Sequence, residues 1–110
     1  MTELSGYRIM WVMVIFDLPV VERAERNAAT AFRNFLLDQG FEMAQFSVYM
    51  RFTSGKEAVA AMTRRIEGAV PEEGKISILT FTDKQYENIV SFRGRGRQSP
   101  KKNPEQFVLF

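Results

Sequence analysis

Ile9-Met10-Trp11-Val12-Met13-Val14-Ile15-Phe16-Asp17-Leu18-Pro19 is the stretch that decides the fold. Its apolar part has no polar side at helical spacing, is rich in β-branched and aromatic residues, and stops at a carboxylate and a proline. A short continuous apolar run closed by a breaker reads as a strand buried on both faces, in the middle of a sheet. Pro19 holds Leu18 away from helical geometry, so the strand ends before any helix begins.

Outward from that strand the period changes. In residues 22–39, Ala24, Ala28, Phe32, Phe35 and Leu36 share one side while Arg26, Arg33 and Asp38 fall elsewhere, which predicts an amphipathic helix stopped by Gly40. Residues 41–52 alternate in the manner of a strand but run long for one. They read either as two antiparallel strands meeting near Gln45 and Phe46 or as a single bent strand, since no Gly or Asn marks a turn. After Ser54-Gly55 a second helix runs through Ala58, Met62, Ile66 and Ala69, with Arg64 and Arg65 at the end where the helix dipole favours cations. Residues 70–74 form a loop and 75–81 a further interior strand. Thr82 and Gln85 fit a capping box opening a short helix, and residues 89–92 either continue it or close as a strand. Phe32, Phe35, Phe41 and Phe46 are assigned to the core, and Tyr49 and Trp11 to the core or an interface.

Strand, helix, two strands, helix and strand make an α+β order of the ferredoxin-like βαββαβ kind, with both helices on one face of the sheet. The other face is then bare, and the aromatic content predicts that a second copy buries it. The apolar residues Phe107, Val108, Leu109 and Phe110 are expected to form an extra C-terminal strand that pairs with the partner subunit of a homodimer.

A chain of 110 residues is one domain, here residues 1–110, with a basic loop at 93–104 and the terminal strand at 107–110. With 45% apolar and 25% charged residues the composition is that of a folded globular protein. There is neither cysteine nor histidine. Disulfides, thiolate metal sites, zinc-histidine sites and every Ser-His-Asp or Cys-His arrangement are excluded. The longest apolar run is too short to cross a membrane and lacks signal-peptide flanks, so a cytoplasmic protein with no membrane partner is expected. Any hydrolysis must use carboxylates with a hard, oxygen-binding metal, or Arg and Lys against a phosphoryl group.

Asp17 is the first candidate for chemistry. A carboxylate directly after a buried strand stands at the rim of the sheet, where a divalent ion can reach it. Asp before Pro and a helix is also turn chemistry, so a capping role stays open at this point. One carboxylate does not make a magnesium site; a symmetric dimer would bring Asp17 and its mate together. The formal charge of +2 identifies no partner, but its distribution is uneven. Arg93, Arg95, Arg97, Lys101 and Lys102 follow one another without an acidic residue, with glycines that let backbone track a phosphate chain. Arg33, Arg51, Arg64 and Arg65 add to this surface or serve as solvated side chains. Ser47 and Tyr49 share a strand face, but serine without a base partner is a weak nucleophile.

Val14-Ile15-Phe16-Asp17-Leu18-Pro19, Phe32-Arg33-Asn34-Phe35-Leu36-Leu37 with Gly40-Phe41, Gln45-Phe46-Ser47-Val48-Tyr49 and Leu79-Thr80-Phe81-Thr82-Asp83-Lys84-Gln85-Tyr86 occur in one order along nearly the whole chain. In this ordered set the chain resembles the Cas-two family, the small dimeric subunit of CRISPR spacer acquisition, in its short form associated with Cas-nine systems. The resemblance implies a ferredoxin-like homodimer whose Asp17 binds Mg2+ and is catalytic in an endonuclease acting on RNA or DNA. It also implies a scaffold that holds protospacer DNA against the CRISPR integrase subunit, with or without nuclease activity. Nucleic-acid contacts are expected at Arg33, Arg51, Arg93, Arg95, Arg97, Lys101 and Lys102. A small-ligand regulatory module is the remaining class such a dimer can serve, and the basic segment argues against it.

Overall fold

A computed structural model of the chain describes residues 9–98. Lys101, Lys102 and the predicted strand at 107–110 lie outside the described residues. Four strands form the main sheet: β1 (Met10–Asp17), β2 (Glu42–Gln45), β3 (Val48–Thr53) and β4 (Lys75–Thr82), in the order β2-β3-β1-β4 with every neighbour antiparallel. The helices α1 (Arg23–Asp38) and α2 (Lys56–Glu67) follow β1 and β3. This is the ferredoxin-like core that the apolar pattern predicts, with β1 inside the sheet. Beyond it come the short helix α3 (Asp83–Glu87) and two more strands, β5 (Ser91–Arg93) and β6 (Gly96–Gln98). Among the described residues no helix is long and apolar enough to cross a membrane.

Alternation along β1 divides its side chains between two cores. Val12 and Val14 point to the helices and are buried with Phe32, Leu36, Phe41, Tyr49, Met62 and Ile66. Phe16 joins them, edge-on to Phe32 and stacked on Tyr49. Trp11 points the other way and is buried with Met50 and Tyr86. The Tyr86 ring stacks on Trp11 at a centroid distance of 4.0 Å, and the indole Nε1 donates to Asp83 Oδ1 at 3.0 Å. α3 therefore covers the Trp11 end of the face that α1 and α2 leave open. It starts where predicted: Thr82 Oγ1 accepts from Gln85 N, and Gln85 Oε1 accepts from Thr82 N.

The α1 ends have local causes. Glu22 and Glu25 form a reciprocal capping box at its start. At its other end Gly40, with φ of 88°, supplies the left-handed residue, while Gly40 N donates to Leu37 O and Phe41 N to Leu36 O. Leu36 and Phe41 are both buried in the helix-side core, completing a Schellman stop.

Residues 41–52 resolve into two strands. The connection at Phe46-Ser47 needs a positive φ, and Ser47 takes it, at 63°, where Gly or Asn is usual. A register shift between Met43 and Gln45 marks a bulge beside the turn. The assignment of Phe46 to the core is wrong. The residue sits in this turn and is 87% exposed. Phe32 and Phe41 are buried, and Phe35 packs against the same core.

The segment read as a basic loop opens with a hairpin, in which Phe92 pairs with Arg97 and Arg93 with Gly96. Gly94, with φ of 63°, begins its two-residue connection. A glycine first and an ordinary residue second is the chemistry of a type II′ turn.

Candidate functional site at the end of the first strand

Asp17 ends β1 on the face away from α1 and α2, and it is exposed. Two backbone devices fix its position. Phe16 N donates to Ser47 O at 3.0 Å, tying the β2–β3 turn to the end of β1. On the other side Gly74, with φ of 101°, packs so tightly that a Cβ there would stand 2.6 Å from Leu18 Cδ2 and 2.8 Å from Asp17 O. Gly74→Ala is therefore expected to destabilise the fold by about 1–3 kcal/mol and to displace the Asp17 rim. Denaturant unfolding measures the first effect; an unchanged midpoint would show that the contact is dispensable.

The surroundings of Asp17 differ on the two sides of the sheet. Its cross-strand partner is Lys75, the first residue of β4, which is exposed on the same face. Next to that pair stand Ile15 and Ser77, and beyond them Met13 and Leu79. Ile15 and Leu79 are 38% and 43% exposed, large for residues inside an apolar strand pattern. On the helix side a cleft of about 250 Å³ lies against Leu18 and Pro19 and is rimmed by Glu22, Glu72 and Glu73. Those carboxylates make that side of the rim repulsive to an anion.

Among the described residues no group of three or more Asp, Glu, His or Cys side chains is placed to hold a metal ion. Asp17 is a single carboxylate with an ammonium-bearing residue as its direct neighbour. Magnesium requires about six oxygen ligands in near-octahedral array and retains waters when carboxylates are few. Among the described residues Asp17 therefore supplies at most one of those ligands, and waters, a substrate phosphate or a second carboxylate would have to complete the shell.

The predicted basic residues fall in three places. Arg93, Arg95 and Arg97 are exposed on the β5–β6 hairpin. Arg33 is exposed on α1, in the layer on the far side of the sheet from the Asp17 side chain. Arg51 is only partly exposed, and part of its guanidinium holds protein: Nη1 donates to Gln39 O at the end of α1, and Nε to Phe52 O. Desolvation by burial, and then the nearby charge of Arg65, hold its pKa below the usual arginine value. Arg65 Nε donates to Gln39 Oε1, so both arginines meet at the C-terminal end of α1, where cations complement the helix dipole. Ser47 contributes its carbonyl to the Asp17 rim, and Tyr49 is buried in the core.

The family model described as CRISPR associated protein Cas2 matches residues 10–89, from β1 through α3. The chain belongs to the Cas2 family. The Cas2 match stops short of the β5–β6 hairpin, but whole relatives extend through it. A protein named CRISPR-associated endoribonuclease Cas2 from Paracidovorax avenae is 57% identical over 107 residues, covering 97% of this chain and 99% of the relative. Its namesake from Flavobacterium psychrophilum is 43% identical, over 99% of this chain and 95% of the relative. One from Streptococcus mutans serotype c is 36% identical over 92% of each chain. Lys75, the cross-strand neighbour of Asp17, gives no signal in sequence, where it is only the first residue of a strand and Asp17 lies far along the chain.

Proposed function

We propose that this chain is a cytoplasmic, homodimeric subunit of CRISPR spacer acquisition that binds protospacer DNA and scaffolds the integrase subunit. The observation that carries the reading is the hairpin on a Cas2-family core: Arg93, Arg95 and Arg97 stand exposed in a segment without a carboxylate. Arginines on a short ribbon suit contacts to successive phosphates, which position a duplex without reading its sequence. Arg33 and, from outside the described residues, Lys101 and Lys102 extend the proposed contacts. Arg51 contributes to them through the α1 end that it holds. The test is binding of labelled duplex DNA and of the integrase subunit, measured for the wild type and for variants of the hairpin.

The homodimer is supported by the half of the open face that α3 leaves bare. Ile15 and Leu79 expose apolar surface there, beside Asp17. Residues 107–110 are proposed to add a strand to the partner. Ile15→Glu combined with Leu79→Glu is expected to yield folded monomers, because each protomer would have to bury two unpaired carboxylates. Sedimentation velocity checks this; a dimer of wild-type strength would place the interface elsewhere.

Phosphodiester hydrolysis is the second reading, favoured by the endoribonuclease name that the relatives carry. Asp17 is its catalytic and metal-binding candidate. A two-fold axis near Asp17 would supply from the partner the second carboxylate that one protomer lacks.

A further inference from the structure

We infer that Lys75 anchors a nucleic-acid phosphate at the Asp17 rim, and that this contact needs no metal. The inference rests on the nucleic-acid reading above and names a residue and a mode of binding within it. Asp17 and Lys75 are direct partners across β1 and β4. Side chains so paired share a face, with Cβ atoms about 5 Å apart. Both are exposed, and β4 is the last strand on its side of the sheet, so a ligand can reach Lys75 from the sheet edge even where a second copy covers the face. Ser77 lies two residues along the same face and offers a hydroxyl donor.

The chemistry follows from the charges. A phosphodiester approaching Asp17 meets a carboxylate of its own sign, and among the described residues no cluster of three or more ligand side chains stands there to hold a cation against that repulsion. Lys75 supplies a compact cation with three donors, which binds phosphate as a point charge. Its place is not loose. Gly74, packed against Leu18 and the Asp17 carbonyl, holds the chain immediately before it. On the opposite side of the rim Glu22, Glu72 and Glu73 close the alternative approach. Lys75 therefore makes one side of the rim attractive to phosphate, and the three glutamates make the other repulsive.

The test uses the full chain, a fluorescently labelled DNA oligonucleotide in single- and double-stranded form, and a salt titration run in EDTA and again in magnesium chloride. Lys75→Gln is expected to weaken binding about tenfold and to make the salt slope shallower by about 1 per protomer, equally in both buffers. Lys75→Arg should keep wild-type affinity and slope, and Asp17→Asn should bind more tightly than wild type in EDTA. A Lys75 that merely pairs with Asp17 on the surface would change stability slightly and leave the slope alone. Wild-type affinity and slope in Lys75→Gln overturn the inference, as does an effect confined to magnesium buffer. If the wild type binds neither oligonucleotide in either buffer, the nucleic-acid reading itself fails, which the variants alone would not do.

Discussion

Asp17→Ala is expected to leave a folded dimer that still binds DNA and to reduce any magnesium-dependent cleavage by at least about 100-fold. Folding should survive because the side chain is exposed and the end of β1 is held by backbone. Pairing with Lys75 and the hydrogen bond from Phe16 N to Ser47 O both remain in alanine. Cleavage should not survive, because among the described residues no other carboxylate shares the open face at that end: Glu22, Glu72 and Glu73 line the cleft on the other side. Labelled RNA and DNA incubated with highly purified protein measure the effect. Unchanged cleavage by the variant would remove Asp17 from any catalytic role. The same variant separates enzyme from scaffold in cells, since a scaffold supports spacer acquisition with alanine at 17 and a nuclease-dependent subunit does not.

The parts of this fold legible in sequence are those with local causes. The first strand follows from an apolar run and a proline, the α1 stop from Gly40 and Phe41, and the α3 start from Thr82 and Gln85 three residues apart. The turn at Phe46-Ser47 was illegible in its details because its positive φ falls on serine, and with it went the exposure of Phe46. Arg93-Gly94-Arg95-Gly96 carried a hairpin signal, glycine ahead of an ordinary residue, that its basic composition obscured. What belongs to the site is less local still. Trp11 and Asp83 are 72 positions apart, and their hydrogen bond decides which half of the open face stays bare. Lys75 faces Asp17 only because β4 pairs with β1 in one particular register, and a shift by a single residue would send it to the helix side. Arg51 shows another non-local effect: its charge reads as a nucleic-acid contact, and in the fold its Nη1 and Nε also donate to Gln39 O and Phe52 O.

Reversing Arg93, Arg95 and Arg97 to glutamate is expected to weaken duplex DNA binding on the order of a hundredfold at low salt and to flatten its salt dependence by roughly one unit of slope per arginine engaged. The main sheet should tolerate the change, since β5 and β6 form a separate two-stranded sheet. The hairpin itself is the weaker element. An isolated pair of strands is marginal in water, and Phe92 lies exposed opposite Arg97, so charge reversal can open the ribbon as well as remove contacts. Two further variants distinguish these effects. Lysine at all three positions keeps the charge and loses the bidentate fork, so affinity should fall modestly while the slope stays. Glutamine at all three removes charge without repulsion, so the slope should flatten to the extent that phosphates are held. Equal slopes in wild type and glutamine variant would mean that the arginines face protein in the working complex, and the hairpin would then belong to the contact with the integrase subunit.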